Sequence, residues 1–410
     1  MIIKESEVLA LLTSTFNFNG RIIMNRAVFQ PMEGCDCLTN GAPSELTERK
    51  YLRAARSGVG TVWFEASAVC PEGRTNEGQM RLNDENLNAF KALVTKMRQA
   101  AMEECGIRQF LILQLTHSGR QSIKPMIAYR NPVYEERRPM TDDNIVSDEY
   151  LDTLPELYVK ATRLAVEAGF DGIDIKSCHG YLFQELLSAF KRNGRYGGSF
   201  ENRTRLYLDT VRAVRAALPK SIAITARLGV SDMVPYPNGF GTTESGDLDL
   251  TETDMLIENL IKAGVEMLNI TVGNPYYNPH VNRPYKKGAY IPNESAETGL
   301  ARFEMIEEHI KKRFKELALV ASGLSYYRAE LIEKSEELLN TGKADLVGYG
   351  RASLAYPTLY TDHLNGTFSP SKCCIACSRC TELMRAGCVC GCAVFDPYYK
   401  KLYRERISKK

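Results

Sequence analysis

The chain has 410 residues, of which 44% are hydrophobic and 25% charged, and these are the proportions of an ordinary globular protein. A formal net charge of +2 gives no electrostatic reason to expect nucleic acid or a membrane surface as a partner. No apolar run approaches the roughly 18 residues of a membrane span, and the first residues are too charged for a signal peptide. We therefore expect a cytoplasmic protein with no membrane span.

Short apolar runs rich in β-branched residues recur along the chain, and stretches with the helical spacing of apolar residues follow them, as at residues 86–104, 154–168 and 203–218. The predicted strands are residues 27–30, 61–66, 110–115, 172–175, 222–227, 267–271, 318–321 and 346–349. Eight such βα units predict an α/β protein with a (β/α)8 TIM barrel, whose site lies at the carboxyl ends of the strands.

Two segments exceed a minimal barrel. Residues 121–152 are long and charged and contain several Pro and Arg residues, so we expect them to form a lid over the site. From residue 366 the chain carries seven of its twelve cysteines and ends in a basic stretch, which we expect to be a solvated helix or a frayed end. We predict a barrel over residues 1–365 and a cysteine-rich extension over residues 366–410. No GxGxxG fingerprint opens a helix after a strand, so we expect no Rossmann domain.

Polar residues with catalytic chemistry follow the fourth predicted strand. Lys176, His179 and Tyr181 are spaced by three and two residues directly after the strand, and this spacing favours catalysis over a packed core histidine. Glycines follow the seventh and eighth strands, at Gly323 and Gly350, where barrels of this type commonly bind phosphate. Clustered cysteines in a chain without a secretion signal are more typical of a metal site than of disulfides.

These segments together resemble a known family. QLTHSGR, CHGYL, RYGGSFENRTR, the ASG of residues 321–323 and the ADLVGYGR of residues 344–351 resemble the old yellow enzyme family of FMN-dependent ene-reductases, in the same order along nearly the whole chain. The cysteine segment is similar to the iron-sulfur branch with 2,4-dienoyl-CoA reductase and trimethylamine dehydrogenase. The resemblance implies an FMN barrel followed by a 4Fe-4S site.

The resemblance also implies which residues contact the FMN. They are Pro31, Met32 and Glu33 against the isoalloxazine, Ala66 beside its edge, Gln114 and Arg227 on its pyrimidine side, and Ser322, Gly323, Gly350 and Arg351 around the phosphate. Arg227 suits the anionic reduced flavin because its charge is fixed. Glu33 stands where the family often has Thr, Ser or Cys, so it is expected to be protonated, turned away from the ring, or lowering the flavin potential.

The cluster ligands implied by the resemblance are Cys374, Cys377, Cys380 and Cys392. Two residues separate Cys377 from Cys380, one fewer than in the family, so Cys388 or Cys390 is an alternative to Cys380. Cys373 is expected to be a bystander. Four thiolates also suit structural zinc, which remains the alternative metal.

We predict an ene-reductase that reduces a C=C bond conjugated to a carbonyl in an enone, a steroid-like enone, an enoate or a dienoyl thioester. Hydride comes from N5 of reduced FMN, His179 with Lys176 polarises the carbonyl, and Tyr181 protonates the α-carbon. Electrons are expected from a ferredoxin or a separate flavoprotein, or directly from NAD(P)H.

Lys176 occupies a position where the family usually has His, and it either contacts the substrate oxygen or pairs with a neighbouring acid.

Three other functions stay open. The same site run backward is a desaturase. An amine dehydrogenase is disfavoured because Lys176 would repel a cation, and a zinc-stapled binding protein is the non-enzymatic alternative.

Overall fold

The computed structural model describes residues 10–285, 288 and 290–408, in which eight parallel strands close into one barrel. Residues 1–9, 286, 287 and 289 of the predicted barrel domain, and 409 and 410 of the predicted extension, lie outside the described residues. The strands are β1 Ala27–Phe29, β2 Thr61–Ala68, β3 Phe110–Thr116, β4 Gly172–Ile175, β5 Ala223–Ser231, β6 Met267–Val272, β7 Ala318–Ala321 and β8 Leu346–Tyr349. The predicted strands and the predicted (β/α)8 TIM barrel are confirmed.

Helices follow the strands around the barrel and cover it. They are α1 Glu45–Ala55, α2 Leu87–Cys105, α3 Asp148–Ala168, α4 Phe200–Ala217, α5 Thr251–Ala263, α6 Ala296–Arg313, α7 Leu331–Asn340 and α8 Leu359–Leu364, with α9 Arg379–Arg385 and α10 Pro397–Arg406 in the extension. Shorter helices are Pro132–Glu135, Leu182–Leu187, Pro279–Asn282 and Arg351–Ala355. Within the described ranges, no helix has the length and apolar character needed to cross a membrane.

The amino-terminal end of the barrel is closed. A hairpin of Phe16–Phe18 and Arg21–Ile23 lies across it, and the ring of Phe18 packs edge-on against Phe110 with centroids 6.0 Å apart. Phe18 belongs to a buried cluster with residues at the strand starts, such as Val28 and Trp63. Because apolar side chains fill this end, a ligand site is expected at the opposite end of the barrel, where the strands have their carboxyl ends.

The segment of residues 121–152 is more structured than predicted. Helix α3 begins at Asp148 rather than at residue 154, because the Ser147 hydroxyl accepts a hydrogen bond from the backbone of Tyr150 and caps the helix. Upstream, Arg137 donates to the carbonyl of Tyr276 at 2.9 Å. The predicted lid therefore contacts the loop that follows β6.

Candidate active site

A cavity with a volume of about 180 Å³ opens at the carboxyl ends of the strands. Its lining includes eight of the ten predicted FMN residues, which are Pro31, Met32, Glu33, Arg227, Ser322, Gly323, Gly350 and Arg351. His179 and Tyr181 also line it. Side chains from residues far apart in sequence thus meet at one cavity, as they do at ligand sites.

A tight turn after β4 presents the predicted catalytic residues. His179 and Gly180 both have left-handed backbone, with φ of 66° and 67°. A Cβ on Gly180 would lie 2.4 Å from the Asn274 side chain, so only glycine fits there. The backbone of Gly180 donates to the buried side chain of Gln184 at 2.9 Å, which fixes the turn. A strained non-glycine residue such as His179 is typical of a functional site.

Tyr181, Glu33 and Lys176 form one contact group. The Tyr181 hydroxyl donates to Glu33 Oε1 at 2.9 Å, and Lys176 Nζ lies 3.4 Å from the same oxygen. The Lys176 ammonium also lies 3.6 Å from the centroid of the Tyr181 ring, a cation-π geometry. Lys176 is therefore paired with a neighbouring acid, and it is not among the residues that line the cavity.

His179 and Arg227 each present a buried nitrogen that lacks a protein partner. Neither Nε2 of His179 nor Nε of Arg227 has a hydrogen-bond partner among the described residues. Burial, followed by the charges of Arg227 and Lys176, lowers the pKa of His179 well below its ordinary value, so its ring is neutral. Buried orphan nitrogens are costly, and their position in the cavity wall suits a polar cofactor and substrate.

Three buried polar side chains form the floor beside the predicted phosphate site. Asn269 donates to Gln30 at 2.7 Å, and Gln30 donates to the Ser322 hydroxyl at 3.2 Å. The backbone amide of Ser322 donates to Glu307 Oε1 at 2.9 Å, so this amide is already occupied. Burial raises the pKa of Glu307 to about 8, which keeps the carboxyl neutral beside a phosphate. The neighbouring Gly323, whose backbone is left-handed with φ of 83°, is the other residue of this turn that is predicted to contact the phosphate.

Ala66 and Gln114 are not among the residues that line the cavity. They pair across the sheet, and the Gln114 side chain donates to Asp174 at 2.6 Å. Asp174 also accepts from the backbone of Arg227 at 2.6 Å. Burial raises the pKa of Asp174 to about 6 against these hydrogen bonds. Asp174 thus connects Gln114 to the strand segment that carries Arg227.

Several lining residues were not predicted from the sequence. Tyr276 and Arg283 come from the loop after β6, and Arg385 comes from α9 in the extension. Arg283 Nε and Arg351 Nη1 are buried and have no hydrogen-bond partner in the described part of the chain. Burial, followed by the charges of Arg351 and Arg385, lowers the pKa of Arg283 to about 10. Neighbouring buried guanidinium groups of this kind suit an anion such as the FMN phosphate.

The four predicted cluster ligands line a second cavity. Cys374, Cys377, Cys380 and Cys392 surround a small space, and neither Cys388 nor Cys390 lines it. Arg351 and Cys380 line both this cavity and the larger one.

Left-handed backbone at Ala376 and Ser378, with φ of 52° and 60°, turns the chain between the first three thiols. In the part of the chain that the structure describes, no group of three or more His, Cys, Asp or Glu side chains converges on a single-ion site. Thiols around one space suit either a 4Fe-4S cluster or a zinc ion, which binds each sulfur at about 2.3 Å.

Residues 15–365 match the family described as NADH:flavin oxidoreductase / NADH oxidase. The chain belongs to this family. An NADH oxidase of Thermoanaerobacter brockii is 27% identical over 383 residues, which cover 90% of this chain and 52% of the relative. An NADPH dehydrogenase of Clostridium acetobutylicum is 25% identical, and the match covers 83% of this chain and 91% of the relative.

Among solved structures, a complex of 2-naphthoyl-CoA reductase with 2-naphthoyl-CoA has a TM-score of 0.77 and 18% identity, covering 95% of this chain and 57% of the other. At this identity the likeness shows the fold alone. The chain spans about half the length of the NADH oxidase and nearly all of the NADPH dehydrogenase. Family membership confirms the predicted flavin-dependent oxidoreductase, and the family supports FMN as the flavin.

Proposed function

We propose that this protein is an FMN- and 4Fe-4S-dependent ene-reductase that reduces a C=C bond conjugated to a carbonyl. The observation that carries the proposal is the convergence of Tyr181, His179 and Arg227 on one cavity. The substrate is a small molecule of the enone, enoate or dienoyl thioester class. Apolar side chains such as Met32 and Leu324 line the cavity together with these polar groups, and such a mixed lining suits a substrate of this class.

Each residue has a defined task in this proposal. The cavity residues would hold FMN, which would supply hydride chemistry when it is bound and reduced. His179 donates a hydrogen bond to the carbonyl as negative charge develops there. Tyr181 protonates the α-carbon as a general acid. Lys176 lies over the Tyr181 ring and stabilises the negative charge left on the phenol, rather than contacting the carbonyl itself.

The thiols of Cys374, Cys377, Cys380 and Cys392 would hold the cluster, which supplies one-electron transfer. Because the NADH oxidase and the NADPH dehydrogenase are named for nicotinamide cofactors, NAD(P)H is one electron source that we propose. A ferredoxin or a flavoprotein is the other, since it delivers electrons singly. Metal analysis that finds zinc and no sulfide would favour a zinc-stapled binding protein instead.

Two reactions compete with this proposal. A desaturase uses the same residues in reverse, with Tyr181 as the proton acceptor. Amine oxidation is disfavoured because Arg227, Arg283 and Arg351 line the cavity and would repel a cationic substrate.

Replacing Lys176 with Met is expected to lower kcat/KM. The expected loss corresponds to a rise of about 2 to 4 kcal/mol in the activation free energy, the scale on which a charged group stabilises a transition state in a water-excluded site. The physical reason is that the ammonium offsets the charge that Tyr181 acquires when it gives up its proton. Steady-state kinetics with an enone measures the effect. Lys176→Arg keeps the charge and is expected to retain most of the activity.

A thermal unfolding experiment on the same preparations separates two roles of Lys176. If the side chain only pairs with Glu33, Lys176→Met would lower the unfolding temperature and leave kcat/KM unchanged. That result would remove Lys176 from the proposed mechanism.

A further inference from the structure

Glu33 is the one carboxylate among the described residues that line the main cavity, and the proposed reaction gives it no task. Its side chain is 18% exposed, whereas Tyr181 is 2% exposed. The two are joined by the hydrogen bond of 2.9 Å from the Tyr181 hydroxyl to Glu33 Oε1. The buried phenol is therefore bonded to a carboxyl group that reaches water.

The position of the phenol proton makes this contact consequential. Tyr181 has one hydroxyl proton, and donation to an ionised Glu33 directs that proton away from the cavity. Burial, followed by the charge of Glu33, also raises the pKa of Tyr181 well above its ordinary value, so the phenol is then a poor acid. A protonated Glu33 reverses the hydrogen bond, because its hydroxyl donates to the phenol oxygen. The Tyr181 proton is then free to point at a substrate.

We propose that Glu33 is the proton relay between solvent and Tyr181. This inference rests on the proposed ene-reductase function. As the C–H bond forms at the α-carbon, the O–H bond of Tyr181 breaks, and the electron pair comes from the C=C bond that has received hydride. The O–H bond of Glu33 breaks as that of Tyr181 forms again. The Glu33 carboxylate then takes a proton from water, and the cycle is complete.

Charged and titratable groups from several elements face Glu33. They are Cys35 on the same turn, Lys176, Cys178 and Tyr181 after β4, Arg227 on β5 and Tyr276 after β6. Lys176 and Arg227 are the cations among these groups.

The other groups around Glu33 hold their protons. Burial raises the pKa of Cys178 to about 11 and raises those of Cys35 and Tyr276 further from their ordinary values. These three groups are therefore neutral near pH 7. Glu33 is left as the carboxyl group of the set, and its side chain reaches water and contacts Tyr181.

The relay is tested with Glu33→Gln, because an amide hydrogen-bonds to Tyr181 but neither gives nor takes a proton. The holoenzyme is reduced with dithionite and mixed anaerobically with 2-cyclohexenone across a pH series. The wild-type rate of flavin reoxidation is expected to fall with rising pH in a one-proton transition. In Glu33→Gln that transition disappears and the rate drops by about 10- to 100-fold, below the range of a direct general acid.

The matched control is Glu72→Gln. Glu72 Oε1 also accepts a hydrogen bond from a tyrosine, Tyr150, at 3.1 Å, but neither residue lines the cavity. The control is expected to keep the wild-type rate and pH transition. A Glu33→Gln protein with the wild-type rate, or with the pH transition intact, would overturn the relay.

A second measurement does not depend on the reaction. Infrared difference spectra between two pH values are recorded on the holoenzyme, on Glu33→Gln and on Tyr181→Phe. The relay predicts a carboxyl band that is absent in Glu33→Gln and shifted in Tyr181→Phe. If no enone reoxidises the reduced flavin of the wild-type protein, the proposed ene-reductase function is wrong. The infrared result would still test the relay in that case. A carboxyl band that does not respond to Tyr181→Phe would overturn the relay.

Discussion

In Tyr181→Phe, reoxidation of the reduced flavin by an enone is expected to slow by roughly 10²- to 10⁴-fold, the contribution of a general acid. Phenylalanine keeps the ring that packs on Tyr276 with centroids 6.5 Å apart, so the cavity wall is retained and only the proton donor is lost. Reduction of the flavin by dithionite needs no proton from Tyr181 and should keep the wild-type rate. Anaerobic stopped-flow absorbance measures the two half-reactions separately.

The control for this variant is Tyr150→Phe. The Tyr150 hydroxyl also makes hydrogen bonds, at 2.9 Å from His117 and 3.1 Å from Glu72, but Tyr150 does not line the cavity. Its loss is expected to leave both half-reactions unchanged. If Tyr181→Phe also reoxidises at the wild-type rate, another group or a water molecule is the acid.

The second large effect concerns the extension. Cys374→Ala and Cys377→Ala are each expected to lose most of the iron and acid-labile sulfide while retaining most of the FMN. The reason is that these thiols line the smaller cavity, whereas the predicted flavin contacts lie on the barrel loops. Iron, sulfide and flavin analysis of anaerobically purified protein measures the three contents together.

Cys388→Ala is the control that the chain offers, because Cys388 belongs to the same segment but lies outside the smaller cavity. It is expected to keep its iron. Loss of iron in Cys388→Ala together with retention in Cys380→Ala would assign the ligand to Cys388 instead. Wild-type protein that carries zinc without iron or sulfide would contradict the cluster altogether.

The barrel could be predicted from the sequence because each of its strands is marked by a short stretch of neighbouring residues. Each strand is a short apolar run that is buried on both faces, as the run Leu346–Tyr349 is. The order of the strands then follows from the simplest right-handed connections. The start of α3 differs from the prediction because the apolar repeat begins only at residue 154, whereas the Ser147 cap starts the helix at Asp148.

The candidate site could be predicted only in part. Residues shortly after a strand, such as His179 and Tyr181, are predicted because a barrel brings all strand ends together, whereas Met32 is predicted from the family resemblance. Arg283 lies in a loop and Arg385 in the extension, and tertiary packing alone places them in the wall. The Glu33 contact with Lys176 joins residues 143 positions apart, so the expectation for Glu33 covers three possible states of its carboxyl group and names no partner.

The most direct test of the proposed function is one anaerobic mixing experiment. Holoenzyme reduced with dithionite is mixed with 2-cyclohexenone in D₂O, and flavin absorbance and the product are followed. The proposal predicts that the flavin is reoxidised as saturated ketone forms in equal amount, with deuterium at the α-carbon. A flavin that stays reduced in the presence of the enone, an enoate and a dienoyl thioester would contradict it.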